Sequence, residues 1–421
     1  MKKILKYILI YFVVLIILAV TLIIVDCIPH KYVKDNVEKS VHVFLEEGYF
    51  PKVKLAAKFL LDNYSDSIMM GTAYSIDENK PIESSMLMRR YYRPGDDQVL
   101  ADDNAEDKPI PFLEQTINGI NDTYMEYSRY WHGYIVLLRP LLVLFNYSQI
   151  RIILTLVICI LALILVFLTY KRLGIYYTIF ISIILLLFQF WSIGLSLFIS
   201  LMFLLMLTAS IYILIKGKSI KNIGIVFFII GMLTSFFDLY SVPIITLGIP
   251  LLFYCILNNQ ENTIKKILEI IVLWFIGYGS MWIGKWVISD LICNTNTIKN
   301  ALEKVFWYTK ETTFVNVNFV QALLANYGFL SVSLCVLLPI TIASLVYMIL
   351  TKKTNKNVLI YCIIAIVPIA WLVFGKNHSF IHARFTFRNL FVSEFAMLCI
   401  LYETIKQKTK LITDGSSSEN S

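Results

Sequence analysis

Residues 1–28 read MKKILKYILIYFVVLIILAVTLIIVDCI, a basic start followed by an apolar run from Ile4 to Ile28. The run exceeds the roughly 20 residues needed to cross a bilayer. A cleaved secretory signal has a shorter apolar core and a small-residue cleavage site, and neither is present. Residues 1–28 are therefore expected to be a retained first transmembrane helix.

The rest of the chain supports that reading. Its 421 residues are 58% hydrophobic and 16% charged, with a mean hydropathy of +0.70, outside the range of water-soluble domains of this length. Further apolar runs fall at about 150–170, 175–190, 193–215, 223–237, 241–257, 267–287, 329–350, 358–374 and 391–405. Together with the first helix they predict an all-α polytopic membrane protein of about ten spans. Lysine and arginine mark alternate ends: Lys2, Lys3 and Lys6; Lys171 and Arg172; Lys216, Lys218 and Lys221; Lys265 and Lys266; Lys352, Lys353 and Lys356; and Lys406, Lys408 and Lys410. By the positive-inside rule these ends, both termini included, are cytoplasmic. The expected location is a plasma membrane.

This topology leaves one large segment, 29–149, on the outer side, with 18 acidic against 13 basic residues. It is expected to form a mainly helical extracytoplasmic domain. Val33, Val37, Val41 and Phe44 recur at helical spacing, and Pro51 to Leu61 suggests a second short helix. Asp96 to Pro111 is acidic and proline-bounded, which suggests a mobile loop. Tyr127 to Arg151, aromatic and basic, suits an interfacial helix that returns the chain to the bilayer. Residues 150–405 form the expected bundle, with outer loops at 289–327, carrying a helix near Lys299 to Lys310, and at 375–390. Residues 406–421 form a cytoplasmic tail, disordered in composition from Thr413.

Several chemistries are disfavoured. The seven cysteines occur singly with no C-x-x-C pair, so neither a disulfide framework nor a zinc motif is implied. The net charge of +8 reflects helix-end lysines and not a nucleic-acid-binding stripe. His378 and His382 in GKNHSFIHARFTFRNL (375–390) are four apart but lack the intervening glutamate and third ligand of a zinc helix.

The polar residues that remain fall into clusters. Asp62 and Asp66 are spaced to share a helix face, as a general base or cation site or as a solvated acidic face. Arg384 and Arg388 suit a phosphate or snorkel to headgroups. Arg129, Trp131 and His132 suit a floor for a sugar or headgroup, or an interface anchor. Asp238 and Lys285 lie near the outer ends of spans, where a charge either faces a cavity or reaches water. All five histidines, His30, His42, His132, His378 and His382, fall on the expected outer side.

The segments LDNYSDSIMM (61–70), YSRYWHGYIVLLRP (127–140), SFFDLYSVP (235–243) and NHSFIHARFTFR (377–388), in this layout, resemble the GT-C class of membrane glycosyltransferases. The resemblance implies an inverting transfer of sugar from a polyprenyl-phosphate-linked donor to a cell-envelope glycan or lipid-linked acceptor. It implies Asp62 or Asp66 as base, Arg384 and Arg388 as phosphate ligands, and His378 or His382 assisting. Asp238 would orient the acceptor or a cation, and a divalent cation is an open candidate cofactor. Members of the class usually place the catalytic acid close after the first helix, where this chain has Asp26 and Asp35, so the identity of the base stays open. A polysaccharide polymerase or ligase is an alternative, although those proteins carry their largest outer loop late in the chain. A lipid-linked-sugar flippase or transporter is another, although no related halves are visible.

Overall fold

The computed structural model describes residues 2–53, 60–91, 109–120, 124–310, 315–352 and 354–418. The chain is a helical multi-pass membrane protein. It opens with α1 (Lys2–Asp26), followed by the short helices α2 (His30–Glu47), α3 (Asn63–Tyr74), α4 (Pro81–Leu87), α5 (Pro109–Ile117) and α6 (Ile135–Leu144). The bundle continues with α7 (Tyr147–Leu173), α8 (Ile175–Leu187), α9 (Phe190–Ile193), α10 (Leu197–Lys216), α11 (Ile223–Phe237), α12 (Ile244–Leu257) and α13 (Ile264–Cys293). After α14 (Thr297–Thr309) and α15 (Phe319–Tyr327) come α16 (Leu338–Leu350), α17 (Lys356–Phe374), α18 (Lys376–Ile381), α19 (Ala383–Thr386) and α20 (Phe391–Ser418). Among the described residues the only strand pair joins Arg90–Tyr91 to Tyr124–Met125.

Among the described residues seven helical stretches are long and apolar enough to cross a membrane: 4–26, 147–173, 197–219, 264–293, 333–350, 356–374 and 383–407. The three remaining expected spans are helices, but with 13, 15 and 14 residues (α8, α11 and α12) they reach only about 20–23 Å at 1.5 Å per residue, short of a core of about 30 Å. Helix α12 is central. Every residue from Ile244 to Ile256 is buried, as an all-apolar helix demands. In α1, by contrast, Ile4, Leu9, Ile16 and Ile24 are more than half exposed, and among its described residues only Leu15, Leu22 and Val25 are buried apolar side chains.

Three local expectations need correction. The ends of Pro51–Leu61 are joined by a bridge between Lys52 and Leu60 and by a bond from Leu61 N–H to the Pro51 carbonyl, so they are not helical; 54–59 lie outside the described residues. Most of the acidic Asp96–Pro111 stretch also lies outside them, but from Pro109 the chain is helical. The tail after Thr413 continues α20 as far as Ser418.

The closest helix contact pairs α11 with α13, and glycine permits it. A Cβ on Gly277 would sit 2.2 Å from the Phe228 carbonyl oxygen, and one on Gly231 would sit 2.2 Å from that of Trp274. Without side chains at these points the two backbones meet, as membrane helices do through small residues. Gly279, two residues along, has open space where a Cβ would stand, with nothing within 4 Å. Gly277→Val is therefore expected to destabilise the protein by about 1–3 kcal/mol or more through overpacking, and Gly279→Ala to have no such effect. Thermal unfolding of the purified variants checks the contrast.

Candidate functional site

The sequence-predicted acids at 62 and 66 have different surroundings. Asp62 is the N-cap of α3, with φ −114° and ψ 68°, and one carboxylate oxygen accepts the Ser65 N–H at 3.0 Å. Its other oxygen, Oδ2, is buried without a hydrogen-bond partner. Asp66 lies inside the helix and turns toward α10. It accepts the N–H groups of Leu197 and Phe198, both at 2.9 Å, the Tyr147 hydroxyl at 2.6 Å and the Ser196 hydroxyl at 3.3 Å. A carboxylate at the open amides of a helix N-terminus neutralises both unsatisfied donors and dipole. Asp66 thus acts as a remote cap of α10.

A polar lattice holds this arrangement. Arg151 donates to both Glu47 oxygens at 2.9 and 2.8 Å and to Asn63 Oδ1 at 2.5 Å. Asn63 donates to Glu47 Oε2 and to the Gly48 carbonyl, and it accepts the Tyr147 hydroxyl at 3.1 Å. Helices α2, α3, α7 and α10 are thereby pinned together by charge-assisted bonds.

Asp62 faces a narrow cleft, partly open to solvent, with a cavity volume of about 10 Å³, room for about one water molecule. Its polar lining among the described residues is Asp62, Ser192, Ser196 and Arg388, beside the apolar Leu61 and Ile193. One carboxylate and one of the predicted arginines therefore share a cavity, although they come from opposite ends of the chain. Burial raises the Asp62 carboxyl to about 7, against the lowering effect of the Ser65 bonds; the Asp66 charge raises it further and Arg384 opposes that. Arg388 is buried, and donates from Nη1 to the Arg384 carbonyl at 2.8 Å. The Arg384 guanidinium lies 4.0 Å from the centroid of the Phe50 ring, on the flank of the cleft.

The other predicted residues are placed elsewhere. Asp238 closes the turn between α11 and α12: its Oδ1 accepts the Ser241 N–H and hydroxyl at 2.8 and 2.7 Å, and its Oδ2 accepts the Tyr278 hydroxyl at 3.1 Å. It does not line the Asp62 cleft. The proposed floor at 129–132 is also divided. Trp131 and His132 are fully buried; the indole donates to the Met281 carbonyl, and His132 is held by the Tyr134 hydroxyl at 2.9 Å and the Tyr127 carbonyl at 3.0 Å. Burial lowers His132 to about 3, so it is a neutral packing residue. Of the three only Arg129 is partly exposed. His378 and His382 lie side by side, with ring centroids 4.5 Å apart and planes tilted by 47°, on a segment broken into α18, α19 and a tight turn at 387–390.

Asp26 is fully buried and accepts the Ser85 hydroxyl at 2.6 Å. Lys285 caps the same region, donating to the carbonyls of Ser85 at 2.7 Å and Met86 at 2.8 Å, while Arg139 ties Ala73 to Ile28. This network fastens α4 to α1 and α13, while Asp26 Oδ1 is buried without a hydrogen-bond partner and, at 0% exposure, closed to solvent. Sequence reasoning missed Glu394, which is fully buried in α20 with Ser333 as its hydrogen-bond partner. A lone acid in the apolar run FVSEFAML was its signal. Among the described residues no three His, Cys, Asp or Glu side chains converge as a metal site would require.

Because Asp66 serves α10, Asp66→Ala is expected to lower stability by about 1–3 kcal/mol, the cost of leaving buried donors unpaired. Thermal unfolding checks this. An unchanged midpoint would remove the capping role. No protein-family model, curated protein or solved structure matches the chain.

Proposed function

We propose that the chain is a membrane glycosyltransferase, taking sugar from a polyprenyl-phosphate-linked donor and passing it to a glycan or lipid-linked acceptor at the outer membrane face. The observation that carries this reading is the pairing, in one cleft, of the unpartnered Asp62 oxygen with Arg388. A carboxyl near pH 7 is tuned for general-base work, and a buried guanidinium is suited to a phosphate oxyanion.

In the proposed step Asp62 takes the proton of the acceptor hydroxyl. The oxygen attacks the anomeric carbon, and the bond from that carbon to the phosphate oxygen breaks with its electron pair going to the phosphate. Arg388 stabilises the developing charge, with Arg384 at the flank. Apolar walls at Leu61 and Ile193 suit the start of a lipid chain. Asp66 takes no part, since its oxygens already serve α10 and Tyr147.

The test is sugar transfer by purified protein from a polyprenyl-phosphate donor. Asp62→Asn is expected to lower turnover by about 10² to 10⁴, the range for a lost general base, with the thermal midpoint retained. Full activity in that variant contradicts the reading. The base form exists above the folded-state value of about 7, so the rate should rise between pH 6 and 8 and be lost on acidification. A flat profile across that window would remove Asp62 as base.

A further inference from the structure

Away from the Asp62 cleft, two cations from distant parts of the chain meet on one aromatic floor. The Arg129 guanidinium lies 4.3 Å from the Tyr127 ring centroid and 5.3 Å from that of Tyr130. Lys304 Nζ, on α14, lies 3.9 Å from the Trp307 ring and 5.4 Å from that of Tyr308. The Tyr130 and Tyr308 hydroxyls join the two halves at 2.8 Å, and Tyr240 stacks on Tyr308 at 5.0 Å with an interplanar angle of 10°. No sequence spacing reveals this floor, because its halves are brought together only by the packing of α14 over residues 127–130.

Among the described residues the charges on the floor are unbalanced. Arg129 donates to Asn300 Oδ1 at 3.2 Å, and among the described residues neither Arg129 nor Lys304 has a carboxylate within 4.0 Å. Burial and then the Arg129 charge lower Lys304 to about 8, the behaviour of an ammonium that lacks a counter-ion. The Lys304 charge also bears on His378 and His382. Behind the tyrosines, the indole nitrogen of Trp282 has no hydrogen-bond partner, while the buried His378 bonds to the Tyr240 backbone. Among the described residues, cations, aromatic rings and the unpaired Trp282 indole nitrogen thus converge without an acid among them.

We propose that this floor binds an anionic sugar unit, one bearing a carboxylate or phosphate. The oxyanion would lie between Arg129 and Lys304, where a guanidinium offers paired donors. The C–H face of the pyranose would lie against the partly exposed Trp307 ring, whose flat apolar surface favours a ring over a small ion, with the buried Tyr308, stacked on Tyr240, supporting it from behind. A phospholipid headgroup shares the oxyanion but lacks the pyranose face. The site is independent of the transferase reading and is tested by binding alone.

The full-length protein in nanodiscs is titrated calorimetrically with trigalacturonate and, as a neutral control of equal length, maltotriose. Trigalacturonate is expected to bind at least tenfold more tightly than maltotriose, and more weakly as salt screens the charges. The R129Q/K304Q double variant should lose at least tenfold in trigalacturonate affinity while keeping its thermal midpoint. Equal binding of the two sugars overturns the proposal, as does unchanged affinity in a folded double variant. If the double variant fails to fold, the single variants R129K and K304Q are measured instead; unchanged affinity in both overturns it. Native mass spectrometry of nanodiscs with and without phosphatidylglycerol supplies the other arm. Retention of that lipid, lost in the double variant, with no trigalacturonate binding, assigns the floor to a headgroup and overturns the sugar.

Discussion

The carboxylate of Asp66 on the open end of α10 is the contact on which the candidate site depends. A helix end inside a membrane protein carries amide donors that lipid cannot satisfy, and a buried carboxylate is tolerable only when such donors surround it. Each feature resolves the other. Leu197 and Phe198 receive an acceptor, Asp66 receives four bonds, and α3 is fixed against the bundle. Asp62, one turn earlier, is held at the mouth of a cleft whose far side is Arg388. Without the Asp66 cap, and the Arg151–Glu47–Asn63 lattice beside it, nothing would keep the Asp62 carboxyl dry.

The same rule separates structural from available polar groups. Asp238, Asp66 and His132 have their polar atoms taken up by named donors or acceptors. Asp62 Oδ2 has no such partner. Intramembrane and near-membrane polar groups are costly when unpaired, so those left unpaired are where a ligand has most to offer. The segment 376–390 borders both proposed sites: His378 lies against Tyr308 of the aromatic floor, and Arg388 lines the Asp62 cleft.

Much of the fold was legible because hydrophobic length is a property of composition. All ten apolar runs are helices, and what the runs did not reveal is that α8, α11 and α12 are too short to cross by length alone. The pair Asp62 and Asp66 was legible as a cluster but not as two roles, because i, i+4 spacing aligns side chains only when both residues are helical. Asp62 sits just outside the helix as its cap, so the two carboxyls diverge. The floor at 129–132 was misread for a similar reason: at φ +53° His132 turns the chain, and its ring and the Trp131 indole go inward. Lys304 was unreadable, since a lysine on an amphipathic helix carries no local sign that an arginine 175 positions earlier will face it.

The account stands or falls on whether Arg388 and Asp62 serve one lipid phosphate. Native mass spectrometry of the protein in nanodiscs doped with polyprenyl phosphate measures this directly, by the fraction of protein that retains the lipid. The parent chain and Asp62→Asn are predicted to retain it, and Arg388→Ala to lose at least tenfold in retention, in keeping with a charge-assisted contact of about 1.5–3 kcal/mol. Equal retention by Arg388→Ala and the parent would contradict the account.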